Sequence, residues 1–133
     1  MSMIPGIEAS SSALQAEQTR LEVVAGNLAN AQNTSDASGN VYRRKMVVFE
    51  SSLNNALSPT VKVANILDDP SPLQKVYMPS HPKADAQGMV EMPNVNPLNE
   101  MVDMMTASRA YQANLQVIQT GRNLFESSLK IAE

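Results

Sequence analysis

The chain has 133 residues, a net charge of −3, 43% hydrophobic and only 4% aromatic residues, with no Trp and no Cys. The acidic balance argues against non-specific nucleic-acid binding, and the missing Cys rules out disulfides and thiolate metal sites. No apolar run approaches a membrane span, and nine Met with so few rings make for a thin, adaptable core.

In chain order, residues 1–6 are short, and Pro5-Gly6 discourages an earlier helix start. From Ile7 to Ala31 a heptad row appears: Ile7, Leu14, Leu21 and Leu28, with Val24, Ala25 and Ala31 beside it. Ser11 and Gln18 interrupt the seam. The row predicts a helix about 38 Å long. Gly26 and the Ser10-Ser11-Ser12 run weaken that helix in isolation, so it needs a partner to form fully. There is no Lys or Arg before Arg20 and no compact apolar core of a secretion signal. Alone, that points to the cytoplasm, and it leaves open export by a route that keeps the N-terminus.

Residues 32–40 read as a loop. Val41 to Glu50 is rich in β-branched and aromatic residues and predicts a strand. Residues 51–60 look loose, Val61 to Ile66 alternates weakly as a second strand, and Asp68-Asp69-Pro70-Ser71-Pro72 is a breaker. Leu73 to Met78 predicts a third strand. Residues 79–93 hold three Pro and one Gly and read as turn and extended chain.

The strongest pattern comes last. Met101, Met104, Ser108, Tyr111, Leu115, Ile118, Arg122, Phe125 and Leu129 follow one another at alternating gaps of three and four. That is the seam of a helix packed lengthwise on another helix. Val117, Leu124 and Ile131 form a second row. Asn96 can cap the start, with Pro97 at the first helical position, Glu100 and Asp103 in the early turns and Lys130 in the last. Residues 97–131 as one helix would be about 50 Å long, against about 35 Å for a compact domain of this size. No charge lies between Arg109 and Arg122, where the polar positions are Gln112, Asn114, Gln116, Gln119 and Thr120. Two readings of that face stand open: a helix surrounded by neighbouring subunits, or an ordinary solvated face that uses amides.

These elements predict a mainly α chain with a small β insert. Its terminal helices form an elongated, coiled-coil-like antiparallel pair. Residues 1–35 supply the first helix, 36–93 the insert and 94–133 the second helix. No catalytic, cofactor or metal constellation is present. His81 stands alone, Asp68, Asp69, Asp85 and Glu91 sit in no pocket-forming motif and read as solvated loop charges, and no glycine pattern cradles phosphate. Arg43-Arg44-Lys45 is the one basic cluster, able to meet an acidic neighbour or simply to protect an exposed strand.

Asn27-Leu28-Ala29-Asn30-Ala31 followed by Thr34 resembles the N-terminal motif of the rod, hook and hook-associated axial proteins of the bacterial flagellum. Asn94-Val95-Asn96, Glu100-Met101-Val102 and Ser108-Arg109-Ala110-Tyr111-Gln112-Ala113-Asn114 resemble their C-terminal motif. The short length, Tyr42-Arg43-Arg44-Lys45, Val47-Val48-Phe49 and Ala84-Asp85-Ala86-Gln87-Gly88 are most similar to the proximal-rod members. Many axial relatives place a Gly-aromatic pair soon after the Thr; here Gly39 and Tyr42 come later. The resemblance implies a non-enzymatic subunit of the periplasmic rod of the basal body, without cofactor. It implies passage through the flagellar type III export apparatus without signal cleavage. It also implies helical assembly with self-copies, other rod subunits and the basal-body base protein. Asn27, Asn30, Asn96 and Asn114 are then candidates for caps or subunit contacts, and Arg43, Arg44, Arg109 and Arg122 for pairing with neighbouring subunits. Caps within one chain and snorkelling to solvent are the local alternatives. The competing function is a soluble coiled-coil adaptor or type III export chaperone, or another axial member of the family.

Overall fold

Two long helices bracket two small sheets. The computed structural model describes residues 5–35, 38–54 and 58–131. The order is α1 (Pro5–Ala29), β1 (Lys45–Asn54), β2 (Ser58–Asp68), β3 (Gln74–Tyr77), β4 (Met89–Met92) and α2 (Pro97–Ile131). The expected lead-in before Pro5 lies outside the described residues, as do residues 55–57 of the stretch read as loose.

α2 spans 35 residues, about 52 Å at the usual helical rise. Its start follows the local chemistry. Asn96 Oδ1 accepts the N–H groups of Leu98 and Asn99 at 3.0 and 3.4 Å, and Asn96 O accepts the N–H of Glu100. These bonds satisfy donors that the first turn leaves free. α1 begins with Pro5 and ends at Ala29, where Asn30 Nδ2 and Asn30 N both donate to Gly26 O.

α1 and α2 lie side by side and run in opposite directions. Ile7 meets Gly121, Arg20 reaches Asp103, and Asn27 reaches Glu100. Ile7, Leu14, Leu21 and Leu28 are all half-buried. On α2 the inward row Met104, Tyr111, Ile118 and Phe125 is half-buried too. The second inward row is displaced by one residue from the expected seam. Glu100, Ala107, Asn114 and Gly121 face inward, while Met101, Leu115, Arg122 and Leu129 are exposed. The physical reason is close approach. Ala107 is fully buried, and a Cβ at Gly121 would come within 2.9 Å of Ile7 Cδ1, so small side chains let α1 settle onto this row.

Among the described residues the insert has four strands rather than three. β1 and β2 form a long antiparallel hairpin from Lys45↔Asp68 to Asn54↔Ser58, with a bulge where Val48↔Asn65 gives way to Phe49↔Val63. It takes in the ends of the 51–60 segment that composition alone left irregular. The hairpin packs along α1, where Ser12 Oγ accepts the N–H of Val61 at 3.1 Å. β3 pairs with β4, a strand hidden in the proline-rich 79–93 stretch. Asp85 makes that pairing possible. Its carboxylate accepts the N–H groups of Gln87 and Met89, and Gly88 turns the chain at φ +76°. Among the described residues the buried apolar set is small: Ala16, Val24, Val90, Pro93, Val95 and Ala107.

Gly121→Ala is expected to change stability by less than about 1 kcal/mol, because better helix propensity offsets the shift Ile7 must make. Gly121→Leu is expected to cost about 1–3 kcal/mol by forcing the helices apart. Urea unfolding of the purified chain, followed by circular dichroism, measures both.

Candidate functional site: a buried polar junction

The side chains that carry most polar contacts meet where α1 ends, β1 begins and α2 begins. Asn27, fully buried, uses its whole amide. Its Nδ2 donates to Glu100 Oε2 at 3.0 Å and to Lys45 O at 2.9 Å. Its Oδ1 accepts from Tyr42 OH at 2.9 Å and from Lys45 N at 2.8 Å. Two donors and two acceptors are exactly matched in sense, which sets the orientation of the amide. Toward Lys45 it behaves like a neighbouring strand, and it thereby pins the root of the β1–β2 hairpin to α1.

Glu100 is the second centre and is 0% exposed. A buried carboxylate is costly unless paired. Arg44 Nε donates to its Oε1 at 2.5 Å, and Asn27 holds the other oxygen. Arg44 also reaches Asp69 Oδ2 at 3.4 Å and Asp103 Oδ2 at 3.5 Å, and Arg20 reaches the other Asp103 oxygen at 3.2 Å. Burial works against the Arg44 charge, but the hydrogen bond and charge of Glu100, with Asp69 behind them, hold its pKa above the usual value. Burial, then the charges of Asp68 and Glu100, push the Tyr42 phenol up as well, so it stays a donor to Asn27. Asn94 closes the ring. Its Oδ1 accepts the Arg44 N–H at 2.8 Å, and its Nδ2 donates to the carbonyls of Asp69 and Ser71.

The basic cluster is thus split. Arg44 turns inward, Arg43 donates to the carbonyls of Asp69 and Ser71, and Lys45 pairs with Asp68 at the exposed edge. Asn114 donates to Ala110 O within α2. Arg109 and Arg122 are exposed and make no ion pair among the described residues. The sequence singled out Asn27 and Arg44 without joining them. It read Glu100 and Asp103 as charges suited to a helix start, with Glu100 also part of a quoted family motif, and gave neither a partner. It gave no role to Tyr42, Asn94 or Asp69 as partners of Asn27 and Arg44, although Tyr42 and Asn94 lie in the quoted motifs. The junction offers no free base or nucleophile, since its carboxylates are taken up by Arg44, Arg20 and Asn27. Among the described residues, no cluster of His, Cys, Asp and Glu is placed to hold a metal ion, and no helix is long and apolar enough to cross a membrane. His81 Nδ1 accepts the N–H of Lys83, a turn contact.

Asn27→Ala leaves the Lys45 N–H and one Glu100 oxygen without their partner and is expected to cost about 3 kcal/mol, read by urea unfolding. Asn27→Asp, which sets a second carboxylate against Glu100, is expected to cost at least as much. The pH dependence follows from two lowered carboxylates. Hydrogen bonds from Ser71, then Arg44, lower Asp69, and the Met89 and Gln87 N–H groups lower Asp85, both from an ordinary 3.8. The unfolded chain then binds more protons than the folded one in acid. This stability is present above about pH 4 and lost as pH falls through the folded-state values, which thermal melts across that window would show.

Comparison with known proteins agrees with this architecture at both ends. Residues 7–35 match the family described as flagella basal body rod protein, and residues 86–131 match flagellar basal body rod FlgEFG protein C-terminal. The chain is 41% identical over 134 residues to the flagellar basal-body rod protein FlgC of Yersinia enterocolitica, covering all of both chains. It is 36% identical to that of Borreliella burgdorferi, covering 100% of this chain and 99% of the relative. It is 45% identical to that of Agrobacterium fabrum, covering 90% of this chain and 88% of the relative. With such identity along the whole chain, this protein belongs to the flagellar basal-body rod protein FlgC family and is a structural subunit of the rod.

Proposed function

We propose that this subunit occupies the proximal part of the rod and transmits torque along α2. It reaches the periplasm through the flagellar type III export apparatus without signal cleavage. There it assembles helically with its own copies, with other rod subunits and against the basal-body base protein. The observation that carries the reading is the mismatch between the helix pair and its own core. α2 is about 52 Å long, yet its apolar side chains Leu98, Met101, Val102, Met105, Val117, Leu124 and Ile131 stay exposed. A chain that buries so little of its longest helix by itself gains stability from neighbours that cover it. The polar junction supports the same reading. It fixes the hairpin and both helices to one another at one end, as a part under twisting load requires.

Two experiments test this. Electron microscopy of isolated basal bodies is expected to place the chain in the rod segment next to the membrane base, and mass spectrometry of that material to find its first residues retained. Absence from basal bodies, or a location in the hook, rejects the reading. Gln119→Pro, at an exposed position inside α2, is expected to kink the helix at a cost of about 3 kcal/mol and abolish swimming while the chain is still made. Normal swimming by this variant would show that α2 need not be continuous.

A further inference from the structure

The first turns of α2 carry an apolar stripe on their outer side. Leu98, Met101, Val102 and Met105 are all exposed. At 100° per residue they fall within about 100° of arc, turned away from Glu100 and Ala107, which face α1. Two of the four are thioethers. Met101 and Met105 are 50% and 57% exposed and lie about one turn apart, with about 6 Å of rise between them. The other described methionines differ: Met46, Met78, Met89, Met92 and Met104 are all half-buried. The chain also has no Cys. With no thiol to react first, these two exposed thioethers are the softest nucleophiles on the described surface.

Resting on the reading of the chain as a rod subunit, we propose that Met101 and Met105 form a reversible oxidation site that decides whether a copy can enter the rod. The reagent class is a hypohalous acid. The thioether sulfur attacks the chlorine of hypochlorous acid and releases hydroxide, and water then displaces chloride from sulfur. The net change is thioether plus HOCl to sulfoxide plus H+ and Cl−, with sulfur losing two electrons and chlorine gaining two. The product is polar and costs free energy to bury without a hydrogen-bond donor. The side chains of Leu98 and Val102 beside it supply none. A neighbour covering the oxidised stripe meets two dipoles in place of apolar surface, and the gain from covering it is lost. The site also has a direction in time. A free copy presents both sulfurs to solvent, and a copy whose stripe is covered does not, so oxidation acts on copies before assembly and spares those in place. Without Cys the chain cannot reduce its own sulfoxides. Reversal falls to a separate methionine sulfoxide reductase, where two thiols become a disulfide and the sulfoxide oxygen leaves as water.

Three measurements test this. The purified full chain is treated briefly with limiting hypochlorous acid, quenched with free methionine and mapped by peptide mass spectrometry. Met101 and Met105 are expected to be oxidised several-fold more than Met46, Met78, Met89, Met92 or Met104. The two reductases that serve the two sulfoxide epimers, supplied with dithiothreitol, are expected to restore both. Oxidation spread evenly over these methionines overturns the proposal. Isolated basal bodies treated in the same way are expected to show Met101 and Met105 oxidised several-fold less than in the purified chain, and equal oxidation overturns it. The third measurement separates exclusion from shielding. The original chain and a Met101→Leu, Met105→Leu variant, which keeps the stripe apolar, are co-expressed in cells that receive a short oxidant pulse while new flagella form. The share of the variant in basal bodies is expected to rise several-fold over untreated cells, and an unchanged share overturns the proposal. Should the pair of changes keep the variant out of untreated basal bodies, either change alone carries the same comparison. Failure of the rod reading is separately visible, because the original chain would then be missing from untreated basal bodies.

Discussion

Glu100 is a carboxylate sealed from water, and the fold depends on how that charge is met. Alone, it would cost several kcal/mol to bury. Here Arg44 comes from the start of the hairpin and Asn27 from the end of α1, so the charge is compensated only when three distant segments have arrived together. Such a contact is conditional. It rewards one arrangement and penalises any slip of the helices past each other, because a shift would part Glu100 from Asn27 and Arg44. Asn27 extends the same condition to the hairpin by binding both backbone groups of Lys45.

The remainder of the helix pair is held by weaker means. Away from the junction the contacts involve small or half-buried side chains, with Ala107 and Gly121 allowing close approach and Ile7 covering Gly121. The two ends of the molecule therefore differ in kind. One is locked by charge and hydrogen bonds, and the other is packed through modest apolar contacts.

The insert shows how local composition misleads. Residues 79–93 look like loop because Pro and Gly break any pattern, yet Met89–Met92 pairs with Gln74–Tyr77. The strand exists because the Asp85 carboxylate and the positive φ of Gly88 reverse the chain at the right place. The hairpin was half legible. Its β-branched runs were visible, but its full length was not, since Ser and Asn at 51–54 have little strand preference and are carried by pairing with residues across the turn.

The sequence by itself determined the two helices, their limits to within two residues and their apolar rows, because heptad spacing and capping act within a few residues of chain. It also displayed the paired terminal motifs by which the family resemblance could be seen. Only the tertiary structure decided which row of α2 faces α1, because close approach favours the small residues Ala107 and Gly121 over the more hydrophobic positions beside them. Only the tertiary structure joined Asn27, Arg44 and Glu100. Hydrogen bonds between segments up to 73 residues apart leave no periodic trace, and a carboxylate in a first helical turn looks the same in sequence whether it meets water or a buried arginine.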